Sequence, residues 1–160
     1  ADAAGDGIAP GFGVWWVVGR ELYLCFGVWS EDQLKLPIHV LEFWTNSMGL
    51  ELIWLQDSSN QFVVEFTDNS AAEVIADSQH SKSAEMMLIA GWRADFMDAS
   101  GVCVLPQRVS SADNCWADWL SRGQIERVVR EAKALGLRLN FLSVPPGADG
   151  LLECLVNMRA

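Results

Sequence analysis

Asp2, Glu42, Asp68 and Asp118 are acids whose types and order have the makings of a divalent-cation site. Asp2 stands in Ala-Asp-Ala-Ala-Gly-Asp-Gly and Glu42 closes Ile-His-Val-Leu-Glu. Asp68 lies in Phe-Thr-Asp-Asn-Ser, and Asp118 in Asn-Cys-Trp-Ala-Asp-Trp-Leu-Ser-Arg. Carboxylates are hard oxygen donors suited to Mg²⁺ or Mn²⁺. Two such ions held roughly 4 Å apart stabilise both the attacking and the leaving oxygen of a phosphodiester cleavage. Each acid alone also has an ordinary reading. Asp2 suits a turn in a Gly-rich loop, where Asp6 competes with it. Glu42 suits the start of a helix, whose dipole favours negative charge. Asp68 suits a helix N-cap, although Ser70-Ala-Ala-Glu73 supplies a capping box of its own. Asp118 suits a solvated helix face, although the flanking Trp116, Ala117, Trp119 and Leu120 predict partial burial, which is costly for an unpaired acid. The ordered set carries the argument that no single acid carries.

These acids need elements to position them. Gly11–Val18 and Glu21–Trp29 read as two strands joined by a turn at Gly19-Arg20. Pro37 opens a helix with Leu41, Trp44, Met48, Leu52 and Leu55 as its buried stripe and Glu42 at the border. Gln61–Phe66 is a short apolar strand, and Asp68 follows it at the carboxyl edge, where open α/β sheets place their sites. A helix is predicted from Ser70, a polar break over 78–83, and a further helix over 84–97 with Met87, Ala90, Ala94 and Met97 on one face. Val102–Leu105 is a buried strand ahead of Pro106. A short helix from Ala112 carries Asp118 and ends near Gly123. With Asp2 at the end of a clipped first strand, residues 1–123 predict an α/β domain with a five-stranded mixed sheet flanked by helices. Residues 124–160 follow as a helix-strand-helix extension, with Ile125, Val128, Val129, Ala132 and Leu135 on one helical face. Leu137, Leu139 and Phe141 alternate as in a strand, Pro145-Pro146-Gly147 breaks the chain, and Leu151–Met158 forms a last short helix.

The chain is 51% hydrophobic with eight Trp, which is enough for a full core. No stretch reaches the ~18 apolar residues of a spanning helix. Cys25, Cys103, Cys115 and Cys154 show no paired spacing and read as separate small apolar residues in a reducing compartment. Trp15, Trp16, Trp29 and Trp92 read as core. The net charge of −10 counts against tight independent binding to a polyanion. A neighbouring basic domain would then hold such a substrate. Arg122, Arg127, Arg130 and Lys133 form the densest positive stretch, as a phosphate track or a solvated helix face. A start at Ala1-Asp2, close to a strand and without Met or a basic leader, predicts a piece of a longer polypeptide.

The segment from Asp2 to Gly123, about three-quarters of the chain, resembles the ribonuclease H domain of retroelement reverse transcriptases, in the flavour of tyrosine-recombinase (DIRS-type) retrotransposons. The resemblance rests on the Asp2 loop with Gly-Phe-Gly-Val-Trp after it, Ile-His-Val-Leu-Glu42, Phe-Thr-Asp68-Asn-Ser-Ala-Ala, Ser81-Lys-Ser, and Asn114-x-x-Ala-Asp118-x-Leu-Ser-Arg. It implies a ribonuclease H-like fold and two Mg²⁺ or Mn²⁺ ions on Asp2, Glu42, Asp68 and Asp118. It also implies hydrolysis of the RNA strand of RNA–DNA hybrids, beside an upstream reverse transcriptase domain in the same polypeptide. Asn69, Ser81, Asn114 and Arg122 are the corresponding substrate contacts. The setting it implies is intracellular, cytoplasm or nucleus, without a membrane. Two departures stand out. Arg108-Val-Ser-Ser111 replaces the family's His-apolar-Pro-Gly stretch, and no His follows His80 to assist product release. The competing expectation is a catalytically silent module of the same fold that packs against a polymerase domain. Strand-transferring relatives place their Glu last, whereas here it comes second.

Overall fold

The computed structural model describes residues 1–59, 62–68 and 83–159. Asn69, Ser81, the capping box at Ser70–Glu73 and the helix predicted from it lie outside the described residues.

The hairpin forms as its turn chemistry dictates. Strands β2 (Gly11–Val18) and β3 (Glu21–Val28) pair antiparallel, with Val18 opposite Glu21 and Gly11 opposite Val28. Gly19 sits at the first corner with φ of +60°, a conformation that the hairpin's two-residue turn asks of Gly. Side chains then alternate between faces. Phe12 and Val14 meet helix α1 (Ile38–Gln56), through Trp44 and Gly49 respectively. Gly13 and Trp15 meet helix α3 (Cys115–Ser121) on the other face. A Cβ on Gly13 would stand 2.3 Å from Leu120 Cβ, so a glycine is what lets α3 lie directly on the strand.

The single five-stranded sheet predicted from sequence is not what forms. The α/β architecture holds, but among the described residues the strands fall into a four-stranded mixed sheet and a separate parallel pair. The larger sheet runs β1-β2-β3-β6, with β1 (Asp2–Ala3) antiparallel to β2 and β6 (Arg138–Phe141) parallel to β3. The pair joins β4 (Phe62–Thr67) and β5 (Cys103–Arg108) in parallel. The cause is the length of β1. Two residues cannot carry a ladder across to β4, and the bond that spans the gap is from the Ala1 nitrogen to Phe66 O, at 3.3 Å. The fourth strand of the larger sheet comes instead from residues 138–141. Strand β5 continues through Pro106, where a short strand was expected to stop. Proline is tolerated there because an edge strand has one side that need not donate to a ladder.

Helix α1 is buried from Val40 through Leu52 apart from Glu42, and Gly49 does not interrupt it. Leu55, assigned to its buried stripe, is exposed. Helix α2 (Ala84–Ser100) starts on Ser83, whose hydroxyl accepts the Met86 N–H, and ends on Gly101 at φ +73°. Its buried residues are Met86, Ile89 and Arg93, one position away from the predicted Met87, Ala90 and Ala94 face. Either stripe satisfies the helical period; the winning one buries larger side chains and brings Arg93 to a partner. The Arg93 guanidinium donates to both Glu65 carboxylate oxygens at 3.1 and 3.3 Å and to Ser47 Oγ at 3.2 Å, and lies over the Phe43 ring. Both charges are buried, so removing either one alone leaves a bare charge in the core.

Residues beyond Gly123 enter the same core. Helix α4 (Ile125–Ala134) packs Val128 and Ala132 with Leu22, Leu24 and Leu120. Helix α5 (Pro146–Asn157) places Leu151, Leu152 and Leu155 in the cluster built around Trp44 and Phe12. Pro146 opens that helix rather than breaking the chain, as a first-turn Pro can. Glu51 accepts the N–H groups of Gly147 and Ala148 at 2.8 and 2.9 Å, meeting two of the amides that a helix start leaves unpaired. All four cysteines are free. Among the described residues no helix is long and apolar enough to cross a membrane.

Candidate active site

Asp68 and Asp118 come near enough to Asp2 for their charges to act on its carboxyl. Asp2 comes from β1, Asp68 directly follows β4, and Asp118 projects from α3. The electrostatics of Asp2 record that approach. Its carboxyl is pushed up to about 6, first by burial and then by the neighbouring charges of Asp68 and Asp118. The hydrogen bond from Ser121 Oγ, at 2.6 Å, works in the opposite direction. Ser121 ends α3 and is itself buried, so the helix that carries Asp118 also aims a donor at Asp2. Its hydroxyl also lies 2.8 Å from the Asp118 carbonyl, but a hydroxyl carries one proton and the shorter contact is to the charged acceptor.

Asp118 is more open to solvent. Its Oδ1 accepts Arg122 Nε–H at 3.0 Å, one turn along the helix, and Arg122 Nη1 reaches Asp6 Oδ1 at 3.3 Å. The two acids raise the Arg122 guanidinium further above its ordinary range, with Asp118 the larger cause. Ser111 Oγ lies at 3.4 Å from Asp68 Oδ2, a long contact from the loop ahead of α3. Glu42 is on the second turn of α1, half-buried, on the helix that packs against β1.

The expected substrate contacts fall differently. Asn114 is buried, and its Nδ2 donates to Ala1 O at 3.2 Å. That bond ties the start of α3 to β1 and so holds Asp2 opposite Asp118. Arg122 stands at the mouth of the acid cluster, engaged with Asp118 and Asp6. Arg127 lies over the Trp119 ring at 4.1 Å, with Arg130 and Lys133 exposed along α4. Ser121 and Ser111 were missed from sequence. For Ser121 a signal existed, since a residue three after Asp118 on a helix shares its face. For Ser111 none did, because its neighbour Asp68 is 43 positions away.

The donor set has the chemistry of a hard divalent ion: carboxylate oxygens with no sulfur or imidazole among them. Burial is the larger cause of the raised Asp2 value, and the part that comes from the Asp68 and Asp118 charges is what a bound cation relieves. Among the described residues, however, no three His, Cys, Asp or Glu side chains are already drawn together as a cation-binding group. Arg122 supplies the positive charge beside Asp118 in this arrangement. Comparison with known proteins finds no matching family model, no matching curated protein and no matching solved structure.

Proposed function

We propose that this chain is a Mg²⁺- or Mn²⁺-dependent endonuclease module that hydrolyses the RNA strand of RNA–DNA hybrids, within a retroelement reverse transcriptase polyprotein. The observation that carries the reading is the approach of Asp68, at the end of β4, and Asp118, on α3, to Asp2 on β1, whose carboxyl is held at about 6 first by burial and then by those two charges. These three acids, with Glu42 from α1, would hold the cations. When bound, such ions activate water and stabilise charge at the scissile phosphate. The chain's own groups do the rest. Ser121 orients Asp2, Asn114 fixes β1 against α3, and Arg122 swings from Asp118 towards a phosphate oxygen. In this reading Glu42 would meet a ribose 2′-OH, the group that separates RNA from DNA.

Exposed Phe62, Val64, Phe66 and Leu105 on one face of the β4–β5 pair support a second reading, a silent module seated against a polymerase domain. Cleavage of an end-labelled RNA–DNA hybrid in Mg²⁺ or Mn²⁺ separates the two. On the nuclease reading the RNA strand is cut and Asp68→Asn, equally well folded, reduces cutting to background. A folded wild-type chain that leaves the hybrid intact in both metals supports the silent module instead.

A further inference from the structure

Two consecutive residues at the end of α3 serve the acid cluster in different ways. Ser121 is buried and donates to Asp2. Arg122 is exposed and lies one turn beyond Asp118, on the same helical face. Its guanidinium is divided between two carboxylates. Nε donates to Asp118 Oδ1 at 3.0 Å and Nη1 to Asp6 Oδ1 at 3.3 Å. Asp6 stands on the loop that leaves β1, so this one side chain ties that loop to α3. Water reaches every member of the group: the side chains are 42% exposed at Arg122, 40% at Asp118 and 87% at Asp6. Exposed ion pairs of this kind are weak and exchange readily.

We propose that Arg122 is an exchangeable counter-ion of the acid cluster, which holds Asp118 in the cation-free chain and gives it up when a divalent ion is bound, staying with the loop through Asp6. The inference rests on the cation reading above and concerns how that site is loaded. A guanidinium and a divalent ion on one carboxylate repel each other, so occupancy by one disfavours the other. Asp118 then passes from a singly charged partner to a doubly charged one that favours carboxylate oxygen. Arg122 keeps Asp6, so the exchange leaves neither charge bare. Two consequences follow for the site. Cation uptake is set against a competitor built into the chain, and therefore needs a higher cation concentration than the acids alone would need. Arg122 also becomes available to a phosphate oxygen only after the cation is in place, which orders the two binding events. Asp6, which as a sequence feature competes with Asp2 for the role of ligand, takes the part of outer anchor instead.

The test titrates the full chain, labelled with ¹⁵N-arginine, with Mg²⁺, following heat and the Arg122 Nε–H resonance. Arg122→Gln and Arg127→Gln are titrated beside it. Arg127 lies over Trp119 and bonds Gln124, so its loss removes an equal charge without releasing Asp118. Both side chains are exposed, and neither change opens the core. The expected result is an Arg122 resonance that moves in step with Mg²⁺ uptake, and an Arg122→Gln chain that binds Mg²⁺ about threefold tighter, the scale of one exposed ion pair. Arg127→Gln should stay within about 1.5-fold of wild type, since salt screens a charge held at Trp119 and Gln124. Mg²⁺ uptake with the Arg122 resonance and the Arg122→Gln affinity both unmoved overturns the proposal and leaves the cation reading standing. Equal tightening in the two variants reduces the effect to net charge and overturns it as well. No uptake by either wild type or Arg122→Gln overturns the cation reading itself, and this proposal with it.

Discussion

At Asp2, burial and the neighbouring acids both act against the charged carboxylate. Its ordinary value is near 3.8 and in the folded chain it sits at about 6. The folded state therefore holds the proton more tightly than the unfolded state. The stability this provides is fully present below pH ~4 and is lost as pH rises through ~6. A shift of about two units corresponds to roughly 3 kcal/mol. In EDTA the wild-type chain is expected to lose urea stability between pH 4 and pH 7, beyond the background from other groups. Asp2→Asn keeps an acceptor for Ser121 and should abolish that loss, by up to about 3 kcal/mol at pH 7. An unchanged pH profile in Asp2→Asn would mean that Asp2 is less desolvated and less crowded by Asp68 and Asp118 than its surroundings imply. Asp2, Glu42, Asp68 and Asp118 were expected from their order as one set, and in the folded chain the charges of Asp68 and Asp118 reach Asp2. Spacing alone puts Ser121 and Arg122 on the Asp118 face of the helix, but the aim of the Ser121 hydroxyl at Asp2 depends on β1 lying against α3 and was not readable.

Glu51 shows how one side chain secures an element. It is buried in α1, and both its oxygens accept amides from the first turn of α5, nearly a hundred residues later. Trp44 donates to Ala148 O beside it. Gly147 is needed at this point because a Cβ would stand 2.5 Å from Glu51 Oε2. Hydrogen bonds to a charged acceptor contribute about 1.5–3 kcal/mol each, and leaving buried amides unmet adds to the loss. Glu51→Ala is expected to lower stability by about 3 kcal/mol in urea titration. Proteolytic sensitivity should appear first around 142–150. A loss below about 1 kcal/mol would show that water or a neighbouring group replaces the carboxylate at little cost.

At the scale of the whole molecule, the residues after Gly123 close the structure from two sides. Strand β6 pairs with β3 through Glu21–Arg138 to Leu24–Phe141, and Arg138 pairs with the Glu21 carboxylate. Helix α4 covers Leu22 and Leu24, and α5 covers Trp44. A chain ending at Gly123 exposes all of these side chains at once. It is expected to lose cooperative thermal unfolding and to bind a hydrophobic dye, as judged by calorimetry and fluorescence. A sharp, reversible transition in that shortened chain would establish 1–123 as an independent domain. The net charge of −10 acts at the same scale. It leaves Arg122, Arg127, Arg130 and Lys133 as the cations available to a phosphate backbone around α3 and α4, against a strongly acidic remainder.

What the sequence determined by itself was local. The turn at Gly19, the period-two faces of β2, the cap at Ser83 and the short helix carrying Asp118 each follow from interactions within a few residues. Turn chemistry, capping and side-chain alternation act over that range. What the tertiary structure decided was choice among equals. Met86 or Met87 could have faced inward on α2, and β3 could have taken any parallel neighbour. The split of the sheet followed from how far a two-residue β1 can reach. Those outcomes depend on surfaces brought together from distant parts of the chain, 28 and 46 residues apart for Arg93 with Glu65 and Ser47 and 119 apart for Asp2 with Ser121, where packing and charge are settled only once both partners are in place.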